Sequence, residues 1–175
     1  MNSTLSITNS LKDYVTQFNE LVINLNETEF ENNPQNKWSA GQDLVHLIKV
    51  LQIVNIAFKI PAPILLVLFG KNKRESRSFD ELQTLYKKSL EGGAKSPNLY
   101  IPKPVLFKNK TELLQKNESL NEAFIQKINK HSDDVLDNYR LPHPILGKVS
   151  LRELALFTSF HTLHHLELLK KKLNK

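Results

Sequence analysis

The stretch Phe160-His161-Thr162-Leu163-His164-His165-Leu166-Glu167 decides how the rest of the chain is interpreted. It lies near the end of the segment that apolar spacing predicts as the last helix, and it holds three of the chain's six histidines. An α-helix turns about 100° per residue, so His161 and His165 lie about 40° apart, on the face that carries Leu154 and Leu168. The stretch therefore predicts a helix that turns two imidazoles toward the protein core.

The other polar residues of this stretch fall on different faces. His164 lies about 60° to the other side of His161, toward the rim of the apolar face. His161 and His164 are thus the alternative to His161 and His165 as the two metal ligands on this helix. Glu167 points about 120° away from His161, which predicts a solvated side chain.

Outward from this stretch, the whole chain has helical periodicity. Only five glycines occur, and no strand alternation of any length is present, which predicts an all-α fold. Apolar residues three and four positions apart predict four long helices, at about residues 4–26, 39–58, 110–139 and from 150 to near the C-terminus. Ser39 with Gln42, and Ser150 with Glu153, have the spacing of capping boxes and so mark two of the helix starts.

The segment between the second and third long helices, residues 61–110, breaks this pattern with five prolines and three glycines. Ser78 and Glu81 predict a short helix within it, to about Leu90. We interpret the segment as a long crossover, because that length allows the flanking helices to run parallel. Further along, Pro142 and Pro144 keep residues 141–148 in a turn.

The second long helix supplies a third inward imidazole. His46 shares one face with Val50, Ile53 and Ala57, at i, i+4, i+7 and i+11. Helices packed in a bundle lie 8 to 10 Å apart, so imidazoles on two of them can reach one ion. His46, His161 and His165 are therefore our candidate metal ligands, although His46 taken alone is more typical of a core histidine.

Three neutral imidazoles suit Zn, Ni, Fe or Cu. Three protein ligands with an open fourth position are the arrangement of a catalytic site, in which the ion activates a water. Asp43, one turn before His46, has the position to orient a ligand or to serve as a base. His131 is interpreted as a histidine at the core edge that bonds backbone or water, and no functional role is expected for His143.

Composition bounds the class of protein. At 175 residues, the chain is expected to form one domain over residues 1–175. Without cysteine it has neither disulfides nor thiolate metal ligands. The N-terminus lacks a signal-peptide pattern and the apolar run 64–69 is too short to span a membrane, so we expect a cytoplasmic protein without membrane contact. The net charge of +6 is dispersed, and the cluster at residues 170–175 closes a helix, so we do not expect nucleic-acid binding.

The order and spacing of several short motifs resemble those of the DinB/YfiT-like superfamily. The resemblance covers most of the chain and rests on Trp38-Ser39 at a helix start, a histidine eight residues after the tryptophan, Pro144, Leu146-Gly147-Lys148, Ser150-Leu151-Arg152-Glu153-Leu154, and His161-x-x-x-His165. It implies a four-helix bundle of up-down-down-up topology and a divalent ion, typically zinc or nickel, held by three histidines. By position, these are His46, His161 and His165.

The same resemblance implies what the site does. Members include transferases that use a low-molecular-weight thiol and an isomerase branch, and some form dimers, so a homodimer is among our expectations. We therefore predict that a small-molecule substrate is either joined to such a thiol or hydrolysed. The alternative is a non-catalytic small-molecule-binding or stress-related bundle. The crossover is longer here than in compact members, and no set of residues selects a particular thiol.

Overall fold

The computed structural model describes residues 3–33 and 37–174, and 71% of this part of the chain is helical. Residues 1–2, 34–36 and 175 lie outside it. The described residues form eight α-helices and two strands: α1 (Thr4–Ile23), α2 (Glu27–Glu31), α3 (Ala40–Ala57), α4 (Ala62–Phe69), α5 (Phe79–Glu91), α6 (Lys110–Lys130), α7 (Asp133–Asn138), β1 (Arg140–His143), β2 (Gly147–Ser150) and α8 (Leu151–Leu173). The prediction of an all-α fold is confirmed in so far as the protein is mostly helical, with one small sheet of two strands.

The predicted capping boxes explain where the site helices begin. The hydroxyl of Ser39 accepts from the backbone N–H of Gln42, and the side-chain oxygen of Gln42 accepts from the backbone N–H of Ser39. Helix α3 begins at Ala40, directly after Ser39. The same reciprocal pair joins Ser150 and Glu153 at the start of α8. Each box satisfies backbone donors that an N-terminus otherwise leaves unpaired. These starts fix the helical register of every histidine that follows.

The prediction of one continuous helix over residues 110–139 was wrong. His131 has extended backbone angles, and the hydroxyl of Ser132 accepts from the backbone N–H of Val135, which caps a separate helix, α7. The apolar spacing continues through the break because Ile128 of α6 and Val135 of α7 both pack against the same core. His131 lies at the core edge and its Nε2 bonds the carbonyl of Phe58 at 3.2 Å, as the sequence interpretation expected.

The turn predicted at residues 141–148 is the centre of a β-hairpin. β1 and β2 pair antiparallel, with His143 opposite Gly147 and Arg140 opposite Ser150. Each strand has only four residues, and Pro142 removes one donor from β1, so no alternation was visible in the sequence. The hairpin leads directly into α8 and ends beside its first turn.

The crossover contains the predicted short helix, α5, and a second one, α4, that the prolines concealed. Pro61 caps α4 and Pro63 lies in its first turn, where a missing backbone N–H costs no hydrogen bond. The link between α4 and α5 is fastened to α8: the buried carboxylate of Glu153 accepts from Arg74 and from both the backbone and the side chain of Arg77. We call this group the Glu153 clamp.

The long helices pack in a ring. α1 contacts α6 and α8, and α3 contacts the same two helices, while α5 packs along α8. Two apolar clusters fill the space between them, one around Phe124, Leu154 and Phe157 and the other around Phe18, Leu44 and Leu166. In the described residues, no helix by itself has the length and hydropathy of a membrane span; α3 and α4, bent by 100° at their junction, meet that test by length and composition only when joined.

Candidate metal centre

Three imidazoles meet between α3 and α8. Nε2 of His161 lies 3.3 Å from Nε2 of His46 and 3.2 Å from Nε2 of His165. The candidate ligand atoms of all three residues lie within 4.8 Å of one another, and each residue is buried. The three histidines chosen from helical geometry are therefore brought together, although 115 residues separate His46 from His161.

The hydrogen bonds on the far side of two rings fix their tautomers. Nδ1 of His46 lies 3.0 Å from the carbonyl oxygen of Tyr100, and Nδ1 of His165 lies 3.0 Å from Oδ1 of Asp43. Both oxygens accept, so each Nδ1 carries the proton and each neutral ring presents a lone pair at Nε2. The lone pairs of His46 and His165 thus both face Nε2 of His161.

This arrangement fits a cation better than it fits a hydrogen-bond network. Nε2 of His161 can donate to only one of the two lone pairs, so one of them remains without a donor. Nδ1 of His161 is buried and has no hydrogen-bond partner in the described part of the chain, so no acceptor fixes the tautomer of this third ring. A tetrahedral ion with metal–nitrogen distances of about 2.1 Å places its ligand nitrogens about 3.4 Å apart. The separations of 3.3 Å and 3.2 Å from Nε2 of His161 are close to this value.

Burial keeps the three rings neutral. It lowers the pKa of His161 and of His165 well below the usual histidine value, and neighbouring histidines add to the effect. Burial also lowers the pKa of His46, although the Tyr100 carbonyl and Asp43 act in the opposite direction. Neutral imidazoles are the form that coordinates metal ions.

Asp43 takes the orienting role that was one of its two sequence interpretations. Its second carboxylate oxygen accepts from Nζ of Lys172, which also donates to the carbonyl of Trp38. Burial raises the pKa of Asp43, and the ammonium group of Lys172 opposes this. The indole of Trp38 lies parallel to the ring of His165 and tilted against that of His46, so one side of the cluster is closed by an aromatic wall.

The crossover supplies the acceptor for His46. Lys49, one turn after His46, donates to the carbonyls of Leu99 and Ile101, on both sides of Tyr100. This pair of hydrogen bonds fixes the short 3-10 turn Asn98–Tyr100 over α3. The predicted crossover is therefore part of the site, which periodicity did not indicate.

A cavity of about 550 Å³ opens beside the cluster. Its lining includes all three clustered histidines and the predicted stripe of α3, with Val50, Ile53, Val54 and Ala57. Further apolar side chains come from the hairpin, α5 and α8: Leu90, Leu141, Pro142, Ile145, Leu154 and Phe157. Lys37 and Lys95 also contribute to the lining. The stripe predicted as an inward face is thus the wall of a cavity, large enough for a small molecule.

Tyr86 is a lining residue that sequence reasoning missed. Its ring contacts His161 and His164 edge-on, and burial raises the pKa of its hydroxyl to about 12, so the group stays protonated at neutral pH. It shares the buried face of α5 with Phe79 and Leu82, a pattern that the sequence does contain. What that face would contact was not visible, because it depends on how α5 packs on α8.

The remaining candidates take different places. His164 is half-buried, lines the cavity and does not belong to the group of converging ligand atoms, which disfavours the pair of His161 and His164. Glu167 is exposed, as expected. His143 lines the cavity from the hairpin.

Comparison with known proteins places most of the chain in a known family. The sequence model of the DinB superfamily matches residues 14–169, which include α3, the crossover, the hairpin and most of α8. Searches of curated proteins and of solved structures gave no significant match. The matched range contains every residue of the three-histidine cluster.

Proposed function

This chain belongs to the DinB superfamily, and on that premise we propose that it is an enzyme dependent on one divalent metal ion held by His46, His161 and His165. The observation that carries the proposal is the pair of lone pairs, on His46 and His165, that face the third imidazole. We propose zinc or nickel, since both suit neutral imidazole ligands and both are implied by the family resemblance.

The proposed architecture is a single domain formed as a four-helix bundle of α1, α3, α6 and α8 with up-down-down-up topology. The contacts of α1 and α3 with both α6 and α8 support it. The crossover between α3 and α6, with its two helices, has the length that parallel neighbours require.

The proposed reaction is transfer of a low-molecular-weight thiol to an electrophilic small molecule, or hydrolysis of such a molecule. When bound, the ion supplies Lewis acidity that activates a substrate thiol or a water. Asp43 and the carbonyl of Tyr100 keep two imidazoles in the ligating tautomer. The apolar walls of the cavity exclude water and hold the apolar part of the substrate, and Tyr86 offers a protonated hydroxyl near His161.

Metal analysis of the purified chain tests the ligand set. We expect about one zinc or nickel ion per wild-type chain and loss of the ion in His46→Ala and His161→Ala. His131→Ala is the matched control, since it removes a half-buried histidine outside the cluster and should keep the ion. Equal, substoichiometric metal in the wild type and in both ligand variants contradicts the proposal.

A non-catalytic binding protein is the second candidate, and the size and apolar lining of the cavity favour it. A screen of thiol cofactors and electrophiles against the metal-loaded chain separates the two. Consumption of thiol and electrophile together, lost in His161→Ala, supports the enzyme. Tight binding without consumption supports the binding protein.

A further inference from the structure

His143 has a fixed orientation that its position in a turn did not suggest. It ends β1, between Pro142 and Pro144, and its Nδ1 accepts from the backbone N–H groups of Ile145 at 3.2 Å and Leu146 at 3.1 Å. A ring nitrogen that accepts two hydrogen bonds carries no proton, so in the neutral ring the proton lies on Nε2. The hairpin thus sets the tautomer of His143 without any other part of the protein.

The donor that results has no protein acceptor. Among the residues that the structure describes, none bonds Nε2 of His143. The ring lines the cavity, with its centroid 4.5 Å from that of Phe157, and Phe157 in turn stacks on His161 at 5.3 Å. Burial lowers the pKa of His143 to about 4, so the ring is an uncharged donor at neutral pH.

The surroundings make such a donor selective. It shares the cavity wall with Leu141, Ile145 and Leu154. The charged groups nearby are Lys37 and Lys95 in the lining and Arg77, whose charge acts on the ring. In an apolar site, a donor that a ligand leaves unpaired costs more free energy than the hydrogen bond contributes when it forms. A ligand without an acceptor at this point is therefore disfavoured.

We infer that His143 binds substrate: its Nε2–H donates to an acceptor oxygen, such as a carbonyl, of an otherwise apolar small molecule in the cavity. The role of this contact in turnover rests on the proposed function, because the cavity that would hold the acceptor is also lined by the histidine cluster. The binding contact itself requires no metal ion. The substrate class is thus a largely apolar carbonyl compound, such as a ketone, an ester or an enone.

A matched pair of fluorescent probes tests the contact. The ketone 6-propionyl-2-dimethylaminonaphthalene carries the acceptor, and 2-dimethylaminonaphthalene is the same fluorophore without it. In His143→Phe, which keeps an aromatic ring against Phe157, we expect the ketone to bind about 3- to 10-fold more weakly and the reference probe to keep its affinity. The emission of the bound ketone should also move to shorter wavelength, because its carbonyl loses a hydrogen bond.

The two probes separate binding from folding. Loss of the backbone contacts to Nδ1 would loosen the hairpin and weaken both probes equally, and that result overturns the inference. Failure of the wild type to bind the ketone up to its solubility limit overturns it too. His131→Phe is the control variant and should change neither probe, since His131 lies outside the cavity lining.

Measurements on the 175-residue chain with and without added zinc distinguish this inference from the proposed function. A selective loss of the ketone in His143→Phe under both conditions supports the contact, whatever the metal content. Absence of bound metal overturns the proposed function and leaves the probe result intact. If His143→Phe weakens both probes equally while the wild type binds metal, the inference about His143 is overturned and the proposed function stands.

Discussion

At the scale of single residues, the cluster depends on two acceptors that come from different parts of the chain. The Tyr100 carbonyl belongs to the crossover, and the Asp43 carboxylate belongs to the first turn of α3. Each holds the proton on Nδ1 of one imidazole and so keeps the lone pair of Nε2 in the cluster. The two acceptors differ in charge, which makes Asp43 the one that a substitution can test.

Asp43→Asn keeps the shape of the side chain and removes its charge. We expect the affinity for zinc to fall about 10- to 100-fold, because the amide is a weaker acceptor for Nδ1–H of His165 and the imidazole becomes less basic. Competition against a chromophoric chelator measures this affinity.

Lys172→Gln is the control for this change, since Lys172 pairs with the other carboxylate oxygen of Asp43. A smaller loss in Lys172→Gln than in Asp43→Asn supports the role of the carboxylate on His165. Equal losses would assign the effect to the ion pair instead. Unchanged affinity in Asp43→Asn contradicts the orienting role.

The sequence predicted the histidines better than it predicted their partners. His46 was identifiable because helical spacing places it on one face with Val50 and Ile53, and that information is local. The Tyr100 carbonyl was not identifiable, since any backbone carbonyl accepts equally well and only the folded crossover selects one. Tyr86 was missed because its contacts depend on how α5 packs on α8.

At the scale of elements, the Glu153 clamp ties the segment that precedes α5 to the first turn of α8. Glu153 is wholly buried, and besides its capping contact it accepts from Arg74 and Arg77. Burial by itself would raise the pKa of this carboxyl, but the hydrogen bonds from both arginines and from the backbone outweigh it and lower the pKa to about 2. The clamp thereby holds the α4–α5 link against the first turn of α8.

Glu153→Gln removes the charge and leaves the arginines without their anion. We expect a loss of about 3 kcal/mol in the free energy of unfolding at pH 7, since one pKa unit corresponds to about 1.4 kcal/mol. The ordinary pKa of this carboxyl is 4.5 and the folded chain lowers the pKa to about 2, so the stabilisation is present above pH 4.5 and is lost as the pH falls toward 2.

Urea unfolding at pH 7 and at pH 3 measures this difference. The gap between the wild type and Glu153→Gln should be smaller at pH 3. Glu167→Gln is the control, because Glu167 is exposed, and it should unfold like the wild type at both pH values. If the difference in the free energy of unfolding between the wild type and Glu153→Gln is the same at both pH values, packing and not charge accounts for the stabilisation by the clamp.

Element boundaries were predictable where a local signal exists. The capping boxes at Ser39, Ser78 and Ser150 give the starts of three helices. The break after Lys130 was not predictable from apolar spacing, because both sides of it pack on the same core. The hairpin was invisible for a different reason: its pairing joins residues across a turn, and each strand is too short for a pattern.

At the scale of the whole molecule, the cluster joins two helices that the sequence keeps far apart. His46 belongs to α3, whereas His161 and His165 belong to α8. An ion bound there binds the folded chain and not the unfolded one, so it stabilises the fold through mass action.

Removal of the ion should therefore lower the melting temperature. With zinc at about one hundred times its Kd, the expected stabilisation is about 2.7 kcal/mol, which corresponds to a shift of about 5 to 10 °C for a chain of this size. Scanning calorimetry with zinc and with a chelator measures the shift. His161→Ala should melt at the same temperature under both conditions, and an equal response of that variant to zinc would contradict the site.

The position of the cluster between α3 and α8 also has a consequence for the life of the protein in a cell. A chain whose folded fraction rises with bound metal is exposed to proteases most when metal is scarce. Its abundance should then follow the supply of the ion, with no change in transcription. If the proposed site holds zinc or nickel, starvation for that metal should lower the amount of the protein. A pulse-chase measurement of its half-life with and without a cell-permeable chelator would detect this.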